Sequence, residues 1–205
     1  MNHKVLSVQG LHVSAVSLYN ELVVGSDSAS ADTILHNLLM GIENLKTNWK
    51  GKDAGYRIQE VIVVYNAMVG VRNALAELAV ASSKVAFEYR EFQNANGAGL
   101  DGLNYLSFDP KTVLGDYFDN ADTIDINPDV NTGKNYLDTA NSSIGEFVNR
   151  VTSKYNEIME NWTQGPGRDN ATEAFQMFLN NAGQYRQTLA EVSNNITTAL
   201  QNYMM

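Results

Sequence analysis

The chain is 205 residues long, enough for one ordinary domain or two small ones, and its 44% hydrophobic content can bury a core. A formal net charge of −9, with no Lys/Arg stripe anywhere, excludes the phosphate-neutralising surface that nucleic acid requires. Without cysteine there is no disulfide, no thiolate metal site and no cysteine nucleophile.

The first residues, Met1 to Gly10, do not read as a signal peptide, because Gln9, His12 and Ser14 interrupt any apolar run. From about Leu11 to Trp49 the apolar residues follow helical spacing. Ile34, Leu35, Leu38, Leu39, Ile42 and Leu45 recur every three or four positions. Gly25-Ser26-Asp27-Ser28-Ala29-Ser30 is a poor helix former, so this segment is one long helix with a defect or two collinear ones with a fresh N-cap.

A second periodic segment runs from Asp53 to Gln93, with Ile58, Ile62, Tyr65, Val69, Leu75, Leu78, Val85 and Phe92 on its apolar face. The run Val61-Ile62-Val63-Val64 favours a strand locally, but a proline-free segment of this length is far beyond the ~10 residues of a long strand. Its most apolar part, Val61 to Val71, contains Tyr65 and Asn66 and falls short of the ~18 apolar residues of a membrane span. A chain without stable membrane insertion is therefore expected.

Residues 94–133 change character. Seven aspartates (101, 109, 116, 119, 122, 125 and 129) stand against Lys111 alone, and five glycines and two prolines break any periodicity. Leu103, Tyr105, Leu106, Phe108, Tyr117 and Phe118 imply an acidic linker that packs on a surface. Two further helical patterns follow, from about Asn135 to Trp162 and from Arg168 to Tyr203.

The strongest signal is an internal repeat. Aligning Trp49 with Trp162 pairs Asn48 with Asn161 and Leu45 with Ile158. Gly51-Lys52-Asp53 then matches Gly167-Arg168-Asp169 across a three-residue insertion. Each unit is helix, Asn-Trp, glycine turn, Asp, helix. That order suits a helical hairpin: glycine supplies the positive φ of the reversal, and Asp opposes the dipole of the returning helix.

Trp49-Lys50-Gly51 is a literal Trp-x-Gly between two long helices, and Trp162-Thr163-Gln164-Gly165 is a looser version. The chain thereby resembles the WXG-type, ESAT-like proteins of type VII secretion systems, in tandem. The resemblance implies an all-α fold: two long antiparallel helical hairpins, residues 1–93 and 134–205, joined by the linker 94–133 into a monomeric four-helix bundle, a dimer made covalent. It also implies a non-enzymatic protein made in the cytoplasm and exported without a cleavable signal, by or with a protein partner such as a secretion ATPase or a secreted effector. Trp49, Gly51, Trp162, Gly165 and Gly167 become the candidate turn and docking residues. The family's Tyr-x-x-x-Asp/Glu export signal is missing after the second hairpin, where Tyr185 meets Leu189. The spacing occurs at Tyr105…Asp109 in the linker, the better-placed candidate, and at Tyr56…Glu60. The runner-up reading is an adaptor or targeting chaperone for a larger secreted toxin. A membrane-active helical protein is weaker, because no face is both apolar and strongly cationic.

Enzyme and cofactor chemistry find little footing. His3, His12 and His36 lie early in the chain and none completes the Glu-x-x-His of a di-iron bundle, so no cofactor or metal is expected. Asp125-x-Asn127-x-Asp129-x-Asn131 starts like a calcium loop but has Val130 where glycine belongs and Tyr136 where the bidentate Glu belongs. Turn formation and helix capping account for those residues more simply.

Overall fold

In a computed structural model, residues 8–23, 29–95, 105–162 and 167–203 are described, and they form five α-helices and one two-stranded ribbon. The apolar spacing of the first segment yields α1 (Val8–Leu22) and α2 (Ala31–Asn48). Ser30 starts α2: its backbone is extended (φ −71, ψ 153) and its hydroxyl accepts the Thr33 N–H at 3.2 Å. Asp32 follows in the first turn, on the side of the dipole that favours a carboxylate. Both helices pack on α3 (Lys52–Ala95) and on α4 (Val130–Asn161) while touching each other little. They therefore share the same two neighbours.

The 44-residue α3 carries Val61-Ile62-Val63-Val64 as helix, not strand. Packing overrides the β preference because α1, α2 and α5 (Arg168–Tyr203) all lie against α3. Ile58, Val61, Ile62, Val64, Met68, Val69, Val71, Leu75 and Leu78 are accordingly all buried. This breadth corrects one sequence expectation. By length and composition α3 is apolar enough to cross a membrane, but most of the qualifying window is buried within the fold.

Helices α4 and α5 pair along an aromatic seam, with the Phe147 ring edge-on to Phe178 at 6.1 Å and Tyr155 against Phe175 at 4.8 Å. Against α2, α4 runs antiparallel: Gly41 faces Leu137, and Gly133 faces Asn44 and Leu45. The Gly133 N–H reaches the Asn44 Oδ1 at 3.0 Å, so these two helices meet at backbone distance.

The described part of the linker packs on the surface as an extended strap along α3, and its fastening follows a simple register. Asn73 exchanges two hydrogen bonds with the main chain of Lys111, at 2.8 and 3.0 Å. Asn66 does the same with Leu114, at 2.9 and 2.7 Å. Gln59 accepts the Tyr117 N–H at 2.7 Å and donates to the Asp116 carboxylate at 2.8 Å. Seven residues of helix rise about 10.5 Å and three residues of extended chain span about 10 Å, so each step along one element meets a step along the other. Fourteen residues beyond Asn73, Phe87 stacks on Tyr105 at 4.1 Å, six residues before Lys111.

Arg72, next to this ladder, is 1% exposed, the one charged residue so buried among the described residues. Its Nε pairs with Asp32 at 3.1 Å, its Nη1 donates to the Asp109 carbonyl at 2.8 Å, and its guanidinium lies 5.5 Å from the Phe108 ring centre. One cation thus joins the start of α2, the middle of α3 and the strap. Replacing it (Arg72→Met) should cost about 2 kcal/mol in urea denaturation, less than a fully buried pair because Asp32 keeps some solvent and the nearby Lys111. The same variant should be cut faster by protease within residues 105–124; an unchanged midpoint and cleavage rate would refute this role.

Candidate functional site: the two tryptophan turns

The two turns predicted from the repeat share one construction. Trp49 ends α2 with an extended backbone (φ −139, ψ 117) and returns its N–H to the Leu45 carbonyl. Trp162 ends α4 in the same way (φ −135, ψ 98), with its N–H on the Ile158 carbonyl. Both indoles are inside the core, at 2% and 4% exposure. Among the described residues the only positive φ values belong to Gly51 (+113) and Gly167 (+76). Each of these glycines accepts the first helical hydrogen bond of the next element, from Gly55 at 2.9 Å and from Ala171 at 3.0 Å. They are therefore the residues on which α3 and α5 begin. Asp53 and Asp169 lie in the first turns, placing a carboxylate near each helix N-terminus.

The first turn has an additional clasp that sequence patterns did not foresee. Trp49–Lys50 (β1) pairs antiparallel with Asp125–Ile126 (β2), Trp49 opposite Ile126 and Lys50 opposite Asp125. The Asn127 N–H adds a bond to the Asn48 carbonyl at 2.8 Å. Asp119 accepts the Gly51 N–H at 3.0 Å and the Ala121 N–H at 3.0 Å. Those two donors, Ala121 first, hold its carboxyl below the usual aspartate value. Lys52 pairs with Asp122 at 2.5 Å across the same edge. The acidic segment thus ties down the turn between α2 and α3.

The turns do not come together. The antiparallel course of α2 and α4 sends them to opposite ends, and Gly167 lies beside Glu77, about 39 Å of helix away from Gly51. Gly165 lies outside the described residues. Because both indoles are enclosed, a partner at either end meets main chain and neighbouring side chains, not the tryptophans. At the candidate export signal, Tyr105 is 56% exposed with its ring on Phe87, while the Asp109 residue is exposed and only its carbonyl is held, by Arg72.

His36 is exposed on α2, and His12 sits at the α1–α3 contact with Nδ1 3.3 Å from the Ser83 hydroxyl. Burial, then the Arg90 charge, lowers the His12 pKa. His3 lies outside the described residues. In the loop that resembles a calcium motif, the Asn127 side chain accepts the Asp129 N–H at 2.9 Å and shapes the turn into α4. Asp129 stands at the N-cap without a side-chain capping bond. Among the described residues, no three His, Asp or Glu side chains are grouped to hold a metal ion.

Gly51 and Gly167 give a graded prediction. A Cβ on Gly51 would lie 3.0 Å from the Thr123 carbonyl oxygen, whereas among the described residues one on Gly167 would meet nothing nearer than Glu77 at 3.7 Å. Gly51→Ala should therefore lose about 2–3 kcal/mol and Gly167→Ala about 1 kcal/mol by denaturant titration. Equal losses, or none, would contradict the turn geometry. No protein-family model matches this chain, and no curated protein and no solved structure matches it significantly.

Proposed function

We propose that this chain is a non-enzymatic protein associated with type VII secretion, a tandem WXG-type molecule exported by or with a protein partner. Its two hairpins, α1–α2–α3 and α4–α5, form one four-helix bundle in a single polypeptide, so that the second hairpin stands where a separate family member would pair. The observation that carries this reading is the equivalence of the two turns. In each, a buried Trp in extended conformation closes one helix and a positive-φ glycine opens the next, at opposite ends of the molecule. The contacts are those of four rods: α3 and α4 each lie against α1, α2 and α5. A strap long enough to run along α3 supplies the covalent return.

The work of such a protein is done by packing faces, not by reacting groups. The adaptor reading, in which the bundle accompanies a larger secreted protein, is favoured by one specific feature, an open apolar trough along the α3–α5 seam. Two measurements test the proposal. Light scattering on the purified chain should give the monomer mass of 22.6 kDa, and a dimer mass would contradict the covalent pseudo-dimer. In a bacterium that carries a type VII system, the tagged protein should accumulate outside the cell only while the secretion ATPase is present. Retention inside, or export that ignores the ATPase, would overturn the secretion role.

A further inference from the structure

Between α3, α5 and the start of the strap lies a cavity of about 650 Å³ that opens along its length to solvent. Its floor is made of small residues on α3, namely Ala67, Gly70, Val71 and Ala74. Among the described residues a Cβ on Gly70 would meet nothing within 4 Å, so the floor is bare there. Met177 and Phe178 of α5 form the far wall, and Phe108 and Pro110 of the strap close the near side. Met177 is 57% exposed, a flexible and polarisable side chain left in water. Tyr185 links this cavity to a smaller one, about 230 Å³, bounded by Glu60, Val63 and Thr188. Together they make a trough that follows α3 from residue 60 to 77, about 26 Å.

The charges along the trough have one sign. Glu77 and Glu173 border the larger cavity and Glu60 the smaller, and among the described residues no Lys, Arg or His lines either. Glu60 is paired with Arg57 at 3.0 Å. Neither Glu77 nor Glu173 has an ion-pair partner among the described residues. The floor is apolar, the length suits about five helical turns, and the unpaired rim charges are negative. A second copy of this chain, itself at net −9, would bring like charge to that rim.

We propose that the α3–α5 trough is a docking site for a single amphipathic helix of about 18 residues whose apolar stripe is flanked by Lys or Arg. The apolar stripe of the guest lies over Gly70 and against Met177, replacing water on both, and its flanking cations meet Glu77 and Glu173. The choice of a helix as guest rests on the packing role argued above. The site itself is independent of the monomer mass and of the secretion assay, so either can fail alone.

The test uses the full chain and a fluorescein-labelled 18-residue peptide of Leu and Lys with all leucines on one helical face. Two comparison peptides have the same composition with scattered leucines, or Glu in place of Lys. Fluorescence anisotropy should show saturable binding of the first peptide and at least about tenfold weaker binding of both others. Gly70→Leu, which fills the floor, and the double variant Glu77→Gln/Glu173→Gln should each weaken the first peptide about tenfold while the thermal unfolding curve stays in place. Should Gly70→Leu fail to fold, the double variant and the peptide comparison still decide. Several results would overturn the proposal: no binding, equal binding of the scattered or acidic peptide, or affinity indifferent to both variants. Concentration-dependent self-association abolished by Gly70→Leu would overturn it as well, by assigning the trough to a second copy.

Discussion

A helix of 44 residues has far more apolar surface than it can leave in water, and it can bury that surface only if other rods lie beside it. The chain meets this demand by reversing direction, so the whole architecture depends on the bends. At each bend the helix must stop, turn within a few residues and restart without leaving buried N–H or carbonyl groups unpaired. The extended tryptophan achieves the stop. Its N–H still closes a helical bond while its indole fills the end of the core. The glycine achieves the restart, because its positive φ aims the chain back and its carbonyl begins the next ladder. With these two residues fixed, the neighbours of α3 and the aromatic seam of α4 and α5 follow from the apolar periodicity.

The linker faces the opposite problem. An extended segment on a protein surface has no hydrogen-bonding partner of its own, and this one is also strongly acidic. Three carboxamides spaced seven apart on α3 answer the first difficulty by imitating a neighbouring strand, since each carries both a donor and an acceptor. Asp119 and Asp122 answer the second by pairing with the N-terminal end of α3 and with Lys52. Arg72 is the one fully buried cation among the described residues, and it has a carboxylate, a carbonyl and an aromatic face arranged around it. These contacts turn a tether into part of the fold.

Much of this was legible from residue order. Ile34 through Leu45 and Phe175 through Ile196 announced their helices, because a single buried stripe forces three- and four-residue spacing. The weak stretch 25–30 announced the start of α2, where Ser30 proved to be the cap. Trp49 and Trp162, each followed by glycine, announced the bends. The strap was only half legible. Its apolar residues implied packing, but nothing in the residue order singled out Gln59 or Asn73, and Asn66 stood out only as a break in the apolar run, since their meaning depends on a segment about fifty residues away. Their seven-residue spacing within an otherwise apolar helix was the available signal. The β1–β2 ribbon is two residues a side, too short for any periodic pattern to reveal. The reach of Arg72 into the core depends on tertiary neighbours that no local pattern encodes.

The central claim is that both bends close one shared core. The chain offers its own probes, because its two tryptophans sit one in each bend. In the single-tryptophan variants Trp49→Phe and Trp162→Phe, the remaining indole should start with buried, blue-shifted emission. Under urea it should lose that emission at the same midpoint as the far-ultraviolet circular dichroism of the same variant. Emission that departs well before the helical signal in either variant would mean that the two halves of the chain melt separately, and the account of one shared core would fail.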